Sequence, residues 1–203
     1  MFRVLTSLLL ITLCPFFHLE AQSSYLKDIL TLRTQKDLLY NDSLKSPIPK
    51  EYLPEFIGLD YFDVNEDFMV TATLRRTKKP TAAKFKTSNP DVTRQYLVYG
   101  IVEFTLLNKE SELTIYYTPR TAGLRKSKRK LFLPFRDKSN GVSTYGGGRY
   151  LELEIPEGDQ LTIDFNKAFN PLCAYGGTFA CVIPPAENLI KVEVEAGEKD
   201  FIH

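Results

Sequence analysis

The sequence has no tryptophan and only two histidines, His18 near its start and His203 as its last residue. Ser-His-Asp and Cys-His catalysis, HExxH zinc sites and histidine-rich metal cages all need an internal histidine, so these chemistries are excluded. No GxxxxGK[ST] phosphate loop occurs, and the glycine run in YGGGRYL lacks the third spaced glycine of a dinucleotide fingerprint. Net charge is missing too. Lys+Arg 26 against Asp+Glu 25 leaves a formal +1 over 203 residues, so no global field recruits nucleic acid or an anionic membrane. Asp63, Asn65 and Asp67 have the odd-position spacing of a calcium loop, but Phe68 stands where its sharp turn needs glycine. No metal and no cofactor are expected.

Long apolar runs are also absent, and the longest, VLTSLLLITLCPFF, is too short to span a membrane. With Arg3 ahead of it and Ala21 behind it, residues 1–21 read as a secretory signal peptide cut after Ala21, which predicts a periplasmic or secreted protein. Acylation of Cys14 is disfavoured because Leu13 precedes it where a small residue is wanted. Cleavage removes Cys14 and leaves Cys173 and Cys181 in an oxidising compartment, where they are expected to pair. Residues 22–203 are long enough for one domain with a sizeable core.

What the chain does contain is strand signal. After a helix expected over about 25–40, with Leu26, Ile29 and Leu30 at helical spacing, Pro47, Pro49 and Pro54 predict an extended arm over 46–55. From about residue 58 the period becomes two. Phe68, Val70, Ala72 and Leu74 alternate with polar residues, and LDYFDV ahead of them is a possible hairpin partner. YLVYGIVEFTLL, SELTIYYT and KLFLPF follow, rich in Val, Ile, Tyr and Phe, with a short strand over 84–87 before them. RYLELEI and QLTIDF flank the turn PEGD and read as a hairpin, and Ile190, Val192 and Val194 mark a last strand. The fold class predicted is mainly β, an antiparallel sandwich or barrel preceded by one N-terminal helix. Arg125, Lys126, Lys128, Arg129 and Lys130 carry no interleaved aromatic for base stacking and read as a solvated hairpin tip.

Tyr145 to Glu198 is the stretch whose composition departs most from the strands around it. Gly146, Gly147 and Gly148 leave the backbone free to present successive N–H groups to an anion, and Arg149 follows with a guanidinium that forks onto carboxylate or phosphate. The plainer alternative makes the glycines a bulge where the strand begins and pairs Arg149 with Asp164 across the hairpin. Asn170 more ordinarily serves its own turn backbone. Closing the short loop from Cys173 to Cys181 stabilises a fold by roughly 2–3 kcal/mol.

LFLPFRDKSNGVSTYGGGRYLELEIP, IDFNKAFNPLCAY and FACVIPPAENLIKVEVEAGEK together resemble the bacterial family called domain of unknown function 1684, and GLDYFDVNEDFMVTATL is similar to it as well. DFN, NPxCAY and PPxEN are its most specific motifs. Val182 stands where that family has proline, and Ser139 where it tends to have threonine. The resemblance implies a shared fold and a shared site, with no established activity.

Three readings follow from the residues. The first is a non-catalytic exported β domain that binds a small polar or anionic ligand through Tyr145, Gly146, Gly147, Gly148, Arg149, Tyr150, Asp164, Asn166 and Glu187. The second is a hydrolase-type enzyme whose acid and base are carboxylates, Asp164 with Glu187 or Glu152, since paired carboxylates are the chemistry left without histidine. The third is an envelope structural or interaction module. Oligomeric state is not readable from the sequence.

Overall fold

A computed structural model describes residues 16–117 and 130–201, with side chains from residue 22 onward. The signal peptide expected over 1–21 and most of the basic run before Lys130 fall outside the described side chains. Helix α1 (Phe16–Asn41) is followed by seven strands: β1 (Met69–Arg76), β2 (Ala82–Lys86), β3 (Thr93–Leu106), β4 (Lys109–Tyr117), β5 (Lys130–Phe135), β6 (Arg149–Glu154) and β7 (Gln160–Asp164). They form one sheet in the order β6-β5-β4-β3-β1-β7, with β2 paired to β3 outside that path. Every ladder is antiparallel.

The sheet curls into a nearly closed barrel because alternate residues of each strand share one apolar face. Ala72 and Leu74 of β1, Val102, Phe104 and Leu106 of β3, Leu131 and Leu133 of β5, and Leu161 and Ile163 of β7 all bury into one core. β3 is long enough to pair with β1, β2 and β4, and its register with β4 shifts between Val98 and Gly100. A second cluster, built on Phe85, Tyr116, Tyr150 and Val182, packs separately from that core.

The hairpin expected from RYLELEI-PEGD-QLTIDF does not form. Among the described residues β6 pairs only with β5 and β7 only with β1, which makes these sequence neighbours the two edges of the curled sheet. Their alternation is as predicted, but the ladder between them is replaced by a seam. Beyond β7 the seam closes at a single point, where Tyr150 N donates to Phe169 O at 2.9 Å and Phe169 N to Tyr150 O at 3.0 Å.

Two other expected strands are bridges rather than ladders. LDYFDV makes only the isolated bridge Tyr61 to Glu198, and the final segment bridges at Leu189 to Arg136. Ile190 and Val194 are nevertheless buried, with Val192 packed beside them, so the alternation reports burial without strand pairing. Residues 46–55 do not run extended either. Tyr52 N bonds Pro49 O at 3.0 Å, and Leu53–Glu55 forms a 3-10 turn, so the prolines shape turns.

Helix α1 does not start at a Ser24 cap, since it runs from Phe16 without a break. Its expected apolar face is also reversed. Leu26 and Leu30 are 43% and 49% exposed, and of that trio only Ile29 is buried. The face laid on the barrel carries Tyr25, Ile29, Arg33, Lys36 and Tyr40, so polar and aromatic groups make most of the attachment. No described helix is long and apolar enough to cross a membrane.

Candidate functional site

Arg149 is fully buried, because it lies on the same face of β6 as Leu151 and Leu153. Its Nη2 pairs with Asp137 Oδ2 at 3.0 Å and donates to Val194 O at 2.7 Å, while Nη1 donates to Ala196 O at 2.5 Å and Glu198 O at 3.2 Å. Asp137 in turn accepts from Ser139 N at 2.9 Å and Val194 N at 3.1 Å. Burial lowers the Arg149 guanidinium below its ordinary value, with Asp137 opposing the shift. This network is a clasp that holds the final segment against the barrel. The expected Arg149–Asp164 pair does not exist, since the two side chains emerge on different faces of different strands.

The glycines next to it form no anion-binding concavity of successive N–H groups. Only Gly148 of the three has positive φ, and its N–H is taken by Tyr145 O at 3.1 Å in a turn. Tyr145 is half-buried, and burial raises its phenol above the ordinary value. Tyr150 is buried and donates its hydroxyl to Val182 O. Glu187 is exposed and lines a separate depression of about 810 Å³ with Glu103 and Glu112. Asn188, beside it, is fully buried: it accepts from Thr114 N at 2.9 Å and donates to Thr114 O and Pro134 O.

Asp164 and Asn166 do meet. They lie at the end of β7 and in the turn that follows it, where Asp164 Oδ1 accepts from Tyr25 OH at 2.9 Å and from Asn166 N at 3.1 Å. Asn166 Nδ2 donates to Tyr25 OH at 3.0 Å, and its Oδ1 accepts from Asn65 N at 3.0 Å. Lys167 Nζ sits 3.2 Å from Asp164 Oδ2 at an angle that leaves this oxygen without a hydrogen bond, so the contact is an ion pair. Asn65 caps the turn at Glu66–Phe68 and supplies no ion site. No cluster of three or more metal-ligating side chains occurs among the described residues.

These two residues sit at the edge of a crevice between α1 and the seam. One wing, of about 320 Å³, is lined by Ile29, Leu32, Arg33, Lys36, Tyr61 and Asn166, with Phe169 and Glu198 opposite. The other, of about 470 Å³, runs between β6 and β7 past Glu152, Leu153, Leu161 and Asp164. Leu32, Lys130, Glu152 and Lys167 border both. Glu152 and Asp164 thus share a groove and Glu187 does not. Asp164 is already held by Tyr25, Asn166 and Lys167.

Arg33 is the distinctive group in this crevice. Its Nη1 donates to Phe62 O at 2.9 Å, and its guanidinium lies 4.6 Å from the Tyr61 ring centre. Its Nε and Nη2 are buried without a partner, as is Tyr61 OH. Burial lowers the Arg33 guanidinium, and burial followed by Glu198 and Asp37 raises the Tyr61 phenol. Lys36, by contrast, is paired with Glu198, whose other oxygen accepts from Tyr175 OH at 2.5 Å and Asn170 N at 2.9 Å. Burial and then Glu198 raise the nearby Tyr40 phenol to about 12. Arg33, Lys36 and Tyr61 went unnoticed in the sequence. The spacing Tyr25, Ile29, Arg33, Lys36, Tyr40 was the available signal, a stripe of steps of four and three on which aromatic and basic side chains outnumber the aliphatic one.

The crevice wall is stapled from behind. Cys173 and Cys181 form a disulfide, and Cys173 lies in the 3-10 turn Leu172–Tyr175 that carries Tyr175. Ser88 fastens the same loop to the end of β2, donating to Phe179 O at 2.8 Å and accepting from Cys181 N at 3.0 Å. Replacing both cysteines by serine is expected to reduce the unfolding free energy by about 2–3 kcal/mol, since the loop is short. Urea unfolding of oxidised, reduced and double-serine protein measures it. Identical midpoints in all three would show that the bond stabilises nothing.

No curated protein matches the chain. Among solved structures, the solution NMR structure of an uncharacterised protein from Haloarcula marismortui is similar, with TM-score 0.69 and 36% identity over 89% of this chain and 96% of that one. The chain matches the family described as "Protein of unknown function (DUF1684)" over residues 54–199, which span β1 to β7, the Arg149 clasp, the disulfide and the crevice residues Tyr61, Asn166 and Glu198. On that match, the chain belongs to the DUF1684 family.

Proposed function

We propose that the protein is an exported binding module that holds a small anionic ligand in the crevice between α1 and the β6–β7 seam, anchored by Arg33. The observation that carries this reading is the buried, partnerless Nε and Nη2 of Arg33 beside an equally partnerless Tyr61 hydroxyl. A buried donor without an acceptor costs roughly 1–3 kcal/mol, so native structures rarely keep several together unless something supplies the acceptors. The crevice falls in the roughly 300–1,000 Å³ range usual for small-molecule sites. Export is supported by the leader-like residues 1–21 and by the disulfide, which suits an oxidising compartment.

Acetate titrated into ¹⁵N-labelled protein is expected to move the Arg33 Nε–H resonance and the amides of residues 61–62. Arg33→Met should abolish those shifts while keeping the rest of the amide spectrum. The reading is lost if neither acetate nor inorganic phosphate perturbs any resonance around Arg33.

A further inference from the structure

We infer, resting on that reading of the crevice, that its ligand is a monocarboxylate carrying an apolar body, such as a medium-chain acid. Three observations narrow the class. The first is the shape of the free donors. With Nη1 held by Phe62 O, the Nε–H and Nη2–H of Arg33 lie side by side on one edge of the planar guanidinium, and that edge is the one left unpartnered. Two parallel N–H groups fit the two oxygens of a carboxylate. Tyr61 OH is a third free donor close to the same group.

The second observation is charge. Lys36 is paired with Glu198, Lys167 with Asp164 and Lys130 with Glu154, so the other cations bordering the crevice are already neutralised. Among the described residues Arg33 has no carboxylate within ion-pair distance, and Glu152 adds a negative charge at the rim. Arg33 and Glu152 then sum to zero over the crevice, so the positive charge at Arg33 is a local one and not a net excess. A monoanion balances it, whereas a phosphate with about −1.5 to −2 charges brings an excess that faces Glu198 and Glu152 at low dielectric.

The third is the remaining lining. Ile29, Leu32, Ala168 and Phe169 flank the Arg33 wing, and the seam continues it past Leu153 and Leu161. Ile29, Ala168, Leu153 and Leu161 are already buried by the fold, so the apolar surface that a bare head group leaves in water is that of Leu32 and Phe169. An attached chain covers it, and each buried methylene strengthens binding by about fourfold.

Calorimetry on the full chain with octanoate, acetate, 1-octanol and inorganic phosphate tests this. Octanoate is expected to bind at least tenfold more tightly than acetate, with phosphate unable to displace it. Arg33→Met should weaken octanoate at least tenfold. Leu32→Ser, at a half-exposed rim position that leaves the fold intact, should weaken octanoate and leave acetate unchanged. If Arg33→Met does not fold, Arg33→Lys keeps the charge without the fork and should still lose most octanoate affinity. Acetate and phosphate binding as well as octanoate would overturn the monocarboxylate inference while leaving the anion site standing. Octanol binding as well as octanoate would overturn it from the other side, and no binding by any anion would remove both readings.

Discussion

Replacing Arg149 by methionine is expected to lower the free energy of unfolding by about 3–5 kcal/mol, the usual effect of removing one member of a buried ion pair. The guanidinium holds three carbonyls, those of Val194, Ala196 and Glu198, as well as Asp137. Methionine fills much of the volume but strands Asp137, which is 4% exposed, as a carboxylate with no cation. It also leaves the carbonyls of the final segment without donors. Asp137→Asn keeps a polar group of the same shape and should be milder, because Ser139 N and Val194 N still find an acceptor. Changing both, Arg149→Met with Asp137→Leu, should recover part of the loss, since a buried pair replaced by packed apolar groups is often close to neutral. Equilibrium denaturation of the wild type, Arg149→Met, Asp137→Leu and the double variant measures the coupling. A loss of under about 1 kcal/mol for Arg149→Met would show that the clasp does not hold the final segment.

Arg149 also shows how much of the site the sequence carried. Leu151 and Leu153 mark the inward face of β6, and stepping back two residues along a strand keeps the same face, so Arg149 had to point into the core. The same rule places Asp164 opposite Ile163 and Phe165, which rules out pairing it with Arg149. Reading Arg149 as a ligand anchor followed from the three glycines before it, whose composition outweighed the alternation after it. Asp164 and Asn166 meet beside the crevice, but their partners come from α1 and from Asn65, far away in the chain. Nothing local in DFN specifies Tyr25.

The buried face of each alternating segment was legible and strand pairing was not. Period-two alternation reports which face is buried, and it did so even at Ile190 and Val194, where no ladder exists. The PEGD turn joins two strands that a local rule pairs, yet each finds its ladder elsewhere, with β5 and with β1. Which edge a strand uses is decided by closing the barrel, and that depends on contacts distant in sequence. The helix failed for a related reason. Leu26 and Leu30 look like a core-facing stripe, but α1 lies over a seam rimmed by Asp164, Glu198 and backbone carbonyls, so its polar stripe is the one that docks. The crevice exists because that docking bridges the seam instead of filling it.

The same closure makes one glycine near the chain's end as sensitive as the buried arginine. Gly197→Ala is expected to destabilise the protein by about 3 kcal/mol or more. Roughly 1–3 kcal/mol of that comes from forcing a side chain into left-handed backbone, and a similar amount from overpacking. Gly197 has φ +77, and a Cβ there would stand 2.5 Å from Ala168 O and 2.8 Å from both Ala168 Cβ and Phe165 O. Two of these neighbours are backbone oxygens, which cannot swing aside as a flexible side chain does. Relief requires the segment to lift, and that segment carries much of the clasp and crevice: Ala196 O on Arg149, Gly197 O on Phe62 N at 3.0 Å, and Glu198 N on Ala168 O at 2.9 Å. Lifting it also moves the Glu198 side chain away from Lys36, Tyr175 and Asn170, so the crevice loosens along with the fold. Gly158→Ala is the matched control, because nothing lies within 4 Å of its Cβ and its backbone is ordinary. It should change stability by less than about 0.5 kcal/mol. Denaturant midpoints for the two variants separate strain at one position from the general effect of replacing a glycine. Equal midpoints would mean that the chain end tolerates the displacement, and that the clasp does not depend on the close approach of residues 168 and 197.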